Sequence, residues 1–477
     1  MNNNPTCVTC PVFNKCGSCS YIGTPYEKQL NKKQEDLEKM LGEFLPVPPI
    51  IGMKDPLHYR NKVHHVFANT KKGIISGSYM AGSHYVINIE HCFLEDEKSQ
   101  QIIHTIRQLL KSFKISIYDE DSGRGSFRHV LIRSGYHSKE YMVVLVMASQ
   151  ILPGKNNFIK ALRKEHPEIT TIILNVNDRD TSFVLGNRNI VLYGKGYITD
   201  TLLKMKYRIS PASFYQVNPV QTEVLYSLVD KYCSLTGNET VIDAYCGVGT
   251  IGLSLAGKAG KIIGIELNKD AVNDARINAR ENHLENASFY QGDAGDFLDT
   301  MASKKEKADI IIMDPPRCGS TPKFLDSVNR IRPKKLIYVS CDPETLARDL
   351  HYLKKLKWEV QKIQPVDMFP MTDHVETVCL LSKLSEVKNH ISVKVDMNEM
   401  DLTAAESKAT YQEIKEWVKE KYGFYVSHLN IAKTKRKCGI IERQNYNLPK
   451  SEDGRSPETP KEKEEAIIAA FKAFRMI

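Results

Sequence analysis

Between residues 55 and 205 the chain places apolar residues at strand spacing in six short runs, "VHHVFAN", "HYVINIE", "HVLIRSG", "YMVVLVMA", "TTIILNVN" and "NIVLYG", each bounded by turn-forming residues. They predict a mixed, mainly antiparallel β-rich domain. Ahead of them, "YEKQLNKKQEDLEKMLGEFL" carries Leu30, Leu37 and Leu41 on one helical face and ends before the proline-rich "PVPPI". From residue 206 the texture becomes strand, glycine-rich turn, helix, strand. Beyond about residue 386 the apolar strand pattern gives way to two amphipathic helices, in "ESKATYQEIKEWVKEKYGF" and "PKEKEEAIIAAFKAF", separated by a polar Pro/Ser/Gly stretch. No internal repeat is present. Four segments are therefore expected: 1–54, 55–205, 206–386 and 387–477.

Composition narrows the function classes. With 477 residues, 42% hydrophobic and 26% charged, the chain has the make-up of an ordinary globular protein with a large core. No stretch of ~18 apolar residues predicts a membrane span, and the N-terminus lacks the basic flank and apolar core of a secretory signal. A cytoplasmic location is expected. In that reducing setting the 11 cysteines are candidates for metal ligation or catalysis before disulfides. A net charge of +9 permits a polyanionic partner without requiring one.

The candidate chemistry lies in the third segment. A strand ending at Asp243 is followed by Gly247, Gly249 and Gly252 in G-x-G-x-x-G spacing, and a second strand ends at Glu266, where a carboxylate can bond ribose hydroxyls. A dehydrogenase would share this motif. Two further strands end before Asp314 in "DPPR" and before Cys341 in "VSCDP". Ligands of open α/β sheets sit beyond the carboxyl ends of strands, so Asp243, Glu266, Asp314 and Cys341 are expected to open onto one crevice. Hydride transfer has no use for a thiol there. Glu376, in "DHVET", adds a carboxylate a short distance away.

"SFYQVNP" (213–219), "DAYCGVGTIGL" (243–253), "DPPR", "VSCDP" and "FPMTDHVETV" follow one another in this order. Together they resemble the RNA uracil-5-methyltransferases that use S-adenosylmethionine, and look closest to the branch that carries an iron–sulfur cluster and methylates 23S ribosomal RNA. The resemblance covers roughly residues 5 to 385. It implies an α/β chain with a C-terminal Rossmann-like methyltransferase domain beside the β-rich central domain, followed here by a small helical extension. It also implies that Cys341 is the nucleophile and Glu376 the base, and that Gln216, Tyr245, Glu266 and Asp314 contact S-adenosylmethionine, with Phe214 packed on the cofactor or the base. The chemistry needs the thiol: carbon 5 of uracil is too poor a nucleophile until a thiolate adds to carbon 6. RNA is the expected partner and a monomer the expected state. A transfer-RNA enzyme and a non-catalytic RNA-binding protein are the alternatives.

Cys10, Cys16 and Cys19, with Cys92 far downstream, match that family's spacing for a 4Fe-4S cluster. Cys7 leaves a second reading open, because Cys7-x2-Cys10 and Cys16-x2-Cys19 form two short pairs as zinc sites do. Cys318 is a rival nucleophile by type alone, whereas Cys233, Cys246, Cys379 and Cys438 are expected to be structural. Arg60, Arg128 and Arg133, and the "KTKRK" run at 433–437, are candidate RNA contacts.

Overall fold

The structure is a computed structural model, and it describes residues 8–179, 183–383, 411–438 and 459–474. The chain divides into two compact units, Met1–Glu386 and Val387–Ile477. Among the described residues no helix is long and apolar enough to cross a membrane.

The first unit begins with a short turn of helix, α1 (Phe13–Cys16), and a longer one, α2 (Tyr26–Leu41). A seven-stranded sheet follows, built from β1 (Lys62–Thr70), β2 (Gly73–Tyr79), β3 (Val86–Asn88), β4 (Phe127–Ser134), β5 (Tyr141–Met147), β6 (Ile169–Val176) and β7 (Arg188–Tyr193) in the order β3-β2-β1-β4-β5-β6-β7. Every pairing in it is antiparallel except β5 with β6. Helices α3 (Glu97–Ser112) and α4 (Lys155–Glu165) cover one face, α4 supplying the crossover that a parallel pair requires. Neither helix, nor β2, is among the expected elements. The signal for α3 was nonetheless present: Asp96 accepts from the Ser99 N–H at 2.8 Å as an N-cap, and Ile102, Ile103, Ile106 and Leu110 fall on its buried side. The opposite face of the sheet shares a core with the rest of the unit, through Leu131, Met142, Val144 and Val146. Burial on both faces explains why β4 and β5 read as continuous apolar runs.

A hairpin, β8 (Ile198–Leu202) with β9 (Met205–Ile209), joins the two halves, so the boundary expected at residue 206 falls inside it. After α5 (Pro219–Cys233) comes an alternation: β10 (Thr240–Ala244), α6 (Thr250–Ala256), β11 (Lys261–Glu266), α7 (Lys269–Glu281), β12 (Ala287–Gln291), α8 (Ala294–Ser303), β13 (Ile310–Met313), α9 (Pro322–Ile331), β14 (Lys335–Ser340), α10 (Pro343–Lys355), β15 (Trp358–Val366) and β16 (Glu376–Lys383). These seven strands form one sheet in the order β12-β11-β10-β13-β14-β16-β15. The first five are parallel and the last two form an antiparallel hairpin against β14. This is a Rossmann-like sheet whose strand order reverses beside β10, where ligands of such sheets bind.

The second unit contains α11 (Tyr411–Tyr422), α12 (His428–Lys437) and α13 (Lys461–Ala473), closed around Ile414, Val418, Ile431, Ile467 and Phe471.

Candidate active site

The turn after β10 is shaped by backbone that few residues tolerate. Tyr245, Gly247 and Gly249 all have positive φ, at 63°, 55° and 83°. A Cβ at Gly252 would lie 2.9 Å from Asp243 Oδ2 and from Ile262, so helix α6 can approach β10 only with glycine there. Asp243 is fully buried and accepts the Gly252 N–H at 2.7 Å. Burial pushes its carboxyl up to about 7. Contrary to expectation it does not open onto the crevice: it ties the glycine turn to its strand from below. Glu266 stands at the adjacent strand end, with one oxygen accepting from the Gly247 N–H at 3.1 Å and the other from the Asn268 N–H at 2.8 Å.

Gln216 and Phe214 lie on the segment before α5, which is pinned from the β-rich domain. Arg133 is buried and donates to the carbonyls of Ser210 and Ser213, and Asn61 donates to the carbonyl of Gln216 at 3.0 Å. Gln216 is buried while Phe214 is 64% exposed, so the phenyl ring is the free surface of this segment. Arg133 is therefore an internal strut and not an RNA contact. Arg128 is internal as well, paired with Glu120 at 2.6 Å and bonded to the carbonyls of Asn177 and Arg179. Both corrections have one cause: backbone carbonyls of connections that pack against β4 need buried donors, and the two arginines supply them.

Cys341 and Glu376 come together through strand register. β14 pairs antiparallel with β16, and the last aligned pair is Ser340 with Thr377. Cys341 follows Ser340 and Glu376 precedes Thr377, so both stand at the end of this ladder, and the Glu376 carboxyl is near enough to act on the thiol. A tight turn then presents the thiol. Ser340 Oγ accepts the Asp342 N–H at 3.2 Å and donates to the Asp342 carbonyl at 2.9 Å, and Asp342 caps α10 by accepting the Thr345 N–H at 2.9 Å. Pro343 occupies the first turn of that helix, as its fixed φ favours. Cys341 thus stands just ahead of a helix N-terminus, a placement that favours a thiolate. A cavity of about 350 Å³ beside it is also lined by Lys33, Asp36 and His374.

Electrostatics set the protonation of the site. Burial and the neighbouring carboxyls of Glu376 and Asp314 push the Cys341 thiol up to about 12, and Arg317 alone pulls it down among these side chains. Glu376 is 3% exposed, and its carboxyl is raised first by burial and then by Asp314, against a smaller opposing pull from Arg317. Asp314 is raised by burial. The neighbouring acids thus favour the protonated form of the thiol and of Glu376, and Arg317 opposes them at both groups. Arg317 in turn lies 3.2 Å from His374 Nε2. Both residues sit inside recognisable motifs, "DPPR" and "DHVET", yet sequence reasoning assigned neither a role, because only the folded site brings the loops together.

The remaining thiols divide as expected on one count. Cys233, Cys246 and Cys379 are buried, and Cys318 is exposed. Cys438 is half-buried against the core of the second unit. Tyr245 packs at 5.4 Å from the ring of Phe324, beneath the turn.

Cys10, Cys16, Cys19 and Cys92 are unpaired thiols that line a single apolar cavity with Val12, Phe13, Ile22 and Phe93. Burial pushes Cys19 up to about 11 and Cys92 up to about 12, and Arg60 opposes the rise at both. Arg60 therefore faces the cysteine group. Cys7 lies outside the described residues.

The sequence matches the family of tRNA (uracil-5-)-methyltransferases over residues 25–384. It is 40% identical over 383 residues to an uncharacterized RNA methyltransferase of Clostridium tetani, a match spanning 80% of this chain and 83% of that protein. A relative of the same description in Oceanobacillus iheyensis is 41% identical over 384 residues, covering 79% of this chain and 83% of that one. The solved tRNA (uracil-54, C5)-methyltransferase of Pyrococcus abyssi, in complex with S-adenosyl-L-homocysteine, is similar with a TM-score of 0.64 at 29% identity, over 76% of this chain and 85% of that one.

Proposed function

The chain belongs to the tRNA (uracil-5-)-methyltransferase family, S-adenosylmethionine-dependent enzymes that methylate carbon 5 of uridine in RNA, and from that premise we propose a covalent mechanism on a ribosomal substrate. One observation carries the mechanism: Cys341 and Glu376 flank the last aligned β14–β16 pair, Ser340 with Thr377, close enough for the Glu376 carboxyl to act on the Cys341 thiol. The Cys341 thiolate adds to carbon 6 of uracil, and the electron pair displaced to carbon 5 takes the methyl group from the sulfonium. Glu376 then removes the proton left on carbon 5, the carbon–sulfur bond breaks, and the thiolate is released. S-adenosylmethionine is contacted by Gln216, Tyr245, Glu266 and Asp314. Its positive charge would add to the pull of Arg317 on the thiol and favour the thiolate. The target base reaches the thiol unstacked, from a loop or by flipping. In this reading residues 55–205 bind RNA, 206–386 carry the chemistry, and 387–477 form an accessory basic unit.

The cysteine group supports a 4Fe-4S cluster held by Cys10, Cys16, Cys19 and Cys92. Four free thiols converge on one apolar cavity, and the two most deeply buried of them are costly to ionise without a cationic partner. Among the described residues no group of three or more His, Cys, Asp or Glu side chains is arranged to hold a metal ion, so the assignment rests on the shared cavity and on the ligand spacing of the branch the sequence resembles. Protein purified without oxygen is expected to be brown, with about four irons and as many sulfides per chain. Cys92→Ser is expected to lose both and to weaken RNA binding, with S-adenosylmethionine affinity unchanged. Metal analysis that finds zinc without sulfide would overturn this assignment.

The cysteine group also favours 23S ribosomal RNA, as in the branch the sequence resembles. A transfer-RNA substrate is the second reading, favoured by the activity for which the Pyrococcus abyssi protein is named. Labelled methyl donor, 23S and transfer-RNA transcripts and nucleoside analysis decide both points. 5-Methyluridine confined to the 23S transcript is the expected result, and a product other than 5-methyluridine would sink the proposal.

A further inference from the structure

Helix α2 turns an unexpected face to the interior. Its buried side carries Gln29 and Lys33 beside Leu37 and Leu41, while Leu30 is only half-buried. A lysine with 1% of its side chain exposed is costly unless every donor is satisfied. Here the ammonium donates to Asp367 Oδ1 at 2.6 Å, to the Phe369 carbonyl at 3.2 Å and to the His374 carbonyl at 3.1 Å. All three acceptors belong to one segment, the connection from β15 to Glu376. One cation thereby ties the start of that connection to its end, two residues before the carboxylate. Gln29, one turn earlier, accepts the Met371 N–H at 3.1 Å, and the N–H groups of Ser20 and Tyr21 donate to the Met371 carbonyl at 2.9 and 3.0 Å. Met371 is held at a φ of 67°, a conformation that a side chain adopts only when its surroundings impose it. Tyr26 completes the grip with a 2.6 Å bond to Asp367 Oδ2.

Glu376 needs this support. Its Oε2 is buried without a hydrogen-bond partner, so no hydrogen bond at that oxygen helps to aim the carboxylate. Its aim then depends on the backbone that delivers it.

We propose that Lys33, assisted by Gln29, is a positioning residue for the Glu376 base, acting through the 367–375 connection. The proposal rests on Glu376 being the base. Lys33 touches neither substrate nor donor in this role. Its loss slows proton removal and release of the finished RNA while leaving attack by Cys341 and methyl transfer close to normal.

The test uses the full-length enzyme with Lys33→Met, and with the double variant Lys33→Met/Asp367→Asn, which avoids stranding a buried carboxylate and keeps an acceptor for Tyr26. Single-turnover methyl transfer is expected to stay within about 3-fold of wild type, and steady-state turnover to fall at least about 10-fold. A methylated protein–RNA adduct should persist in denaturing gels. Glu376→Gln is run alongside. If Glu376→Gln accumulates adduct and neither Lys33 variant does, the positioning role falls while the base survives. If Glu376→Gln itself yields no adduct, the base assignment falls and this inference with it. Equal loss of methyl transfer and turnover in both Lys33 variants would mark Lys33 as merely structural and overturn the proposal.

Discussion

Cys341→Ala is expected to lower turnover by more than about 10⁴-fold and to leave S-adenosylmethionine affinity within about 3-fold. The loss is large because no other group at this strand end can form the bond to carbon 6. Cys318, the nearest rival by sequence, is exposed on the loop that follows "DPPR", and its backbone carbonyl is bonded to Arg348. The cofactor is spared because its expected contacts lie at the ends of β10, β11 and β13 and on the segment before α5, and alanine at 341 removes no hydrogen bond from any of them. Initial rates with labelled donor and equilibrium titration of the donor measure the two halves separately. Activity within about 100-fold of wild type would remove the covalent mechanism.

Glu376→Gln should stall the enzyme after the chemistry that Cys341 begins. The amide keeps the shape of the buried side chain but cannot take a proton, so turnover should fall by about 10²- to 10⁴-fold while a methylated adduct accumulates. The pH dependence has a definite sign. Glu376 acts as the carboxylate, and burial together with Asp314 raises its pKa above the ordinary value of about 4.3. Product release by wild type is therefore expected to increase with pH over a range displaced upward from that value, and Glu376→Gln should lack this limb. Rates of adduct decay measured across pH check it. Loss of activity with no adduct would make Glu376 a binding or structural residue.

The strands of the methyltransferase half were legible because buried parallel strands are short apolar runs punctuated by glycine or aspartate, and each run ends at the residue that matters. The β-rich half was harder to read. Its strands were visible, but α3 and α4 were passed over, although α3 carries an Asp96 N-cap and an apolar side of Ile102, Ile103, Ile106 and Leu110, and α4 buries Phe158 and Leu162. Asp243 was misplaced because a strand-end carboxylate can point into the crevice or back under a helix. Only the close approach of Gly252 shows which occurred here.

Residue type and spacing alone determined the doubly wound sheet, the glycine turn, a thiol at one strand end and a carboxylate at the start of a hairpin's second strand. Those follow from local rules: period, turn chemistry and the polarity of strand ends. Tertiary structure decided which charges are tools and which are struts. Arg133 and Lys33 look in sequence like surface cations, yet both are buried against backbone carbonyls of segments distant along the chain. Whether a cation meets a phosphate or an orphaned carbonyl depends on which connections pack beside it, and that is a property of long-range contacts that no local pattern encodes.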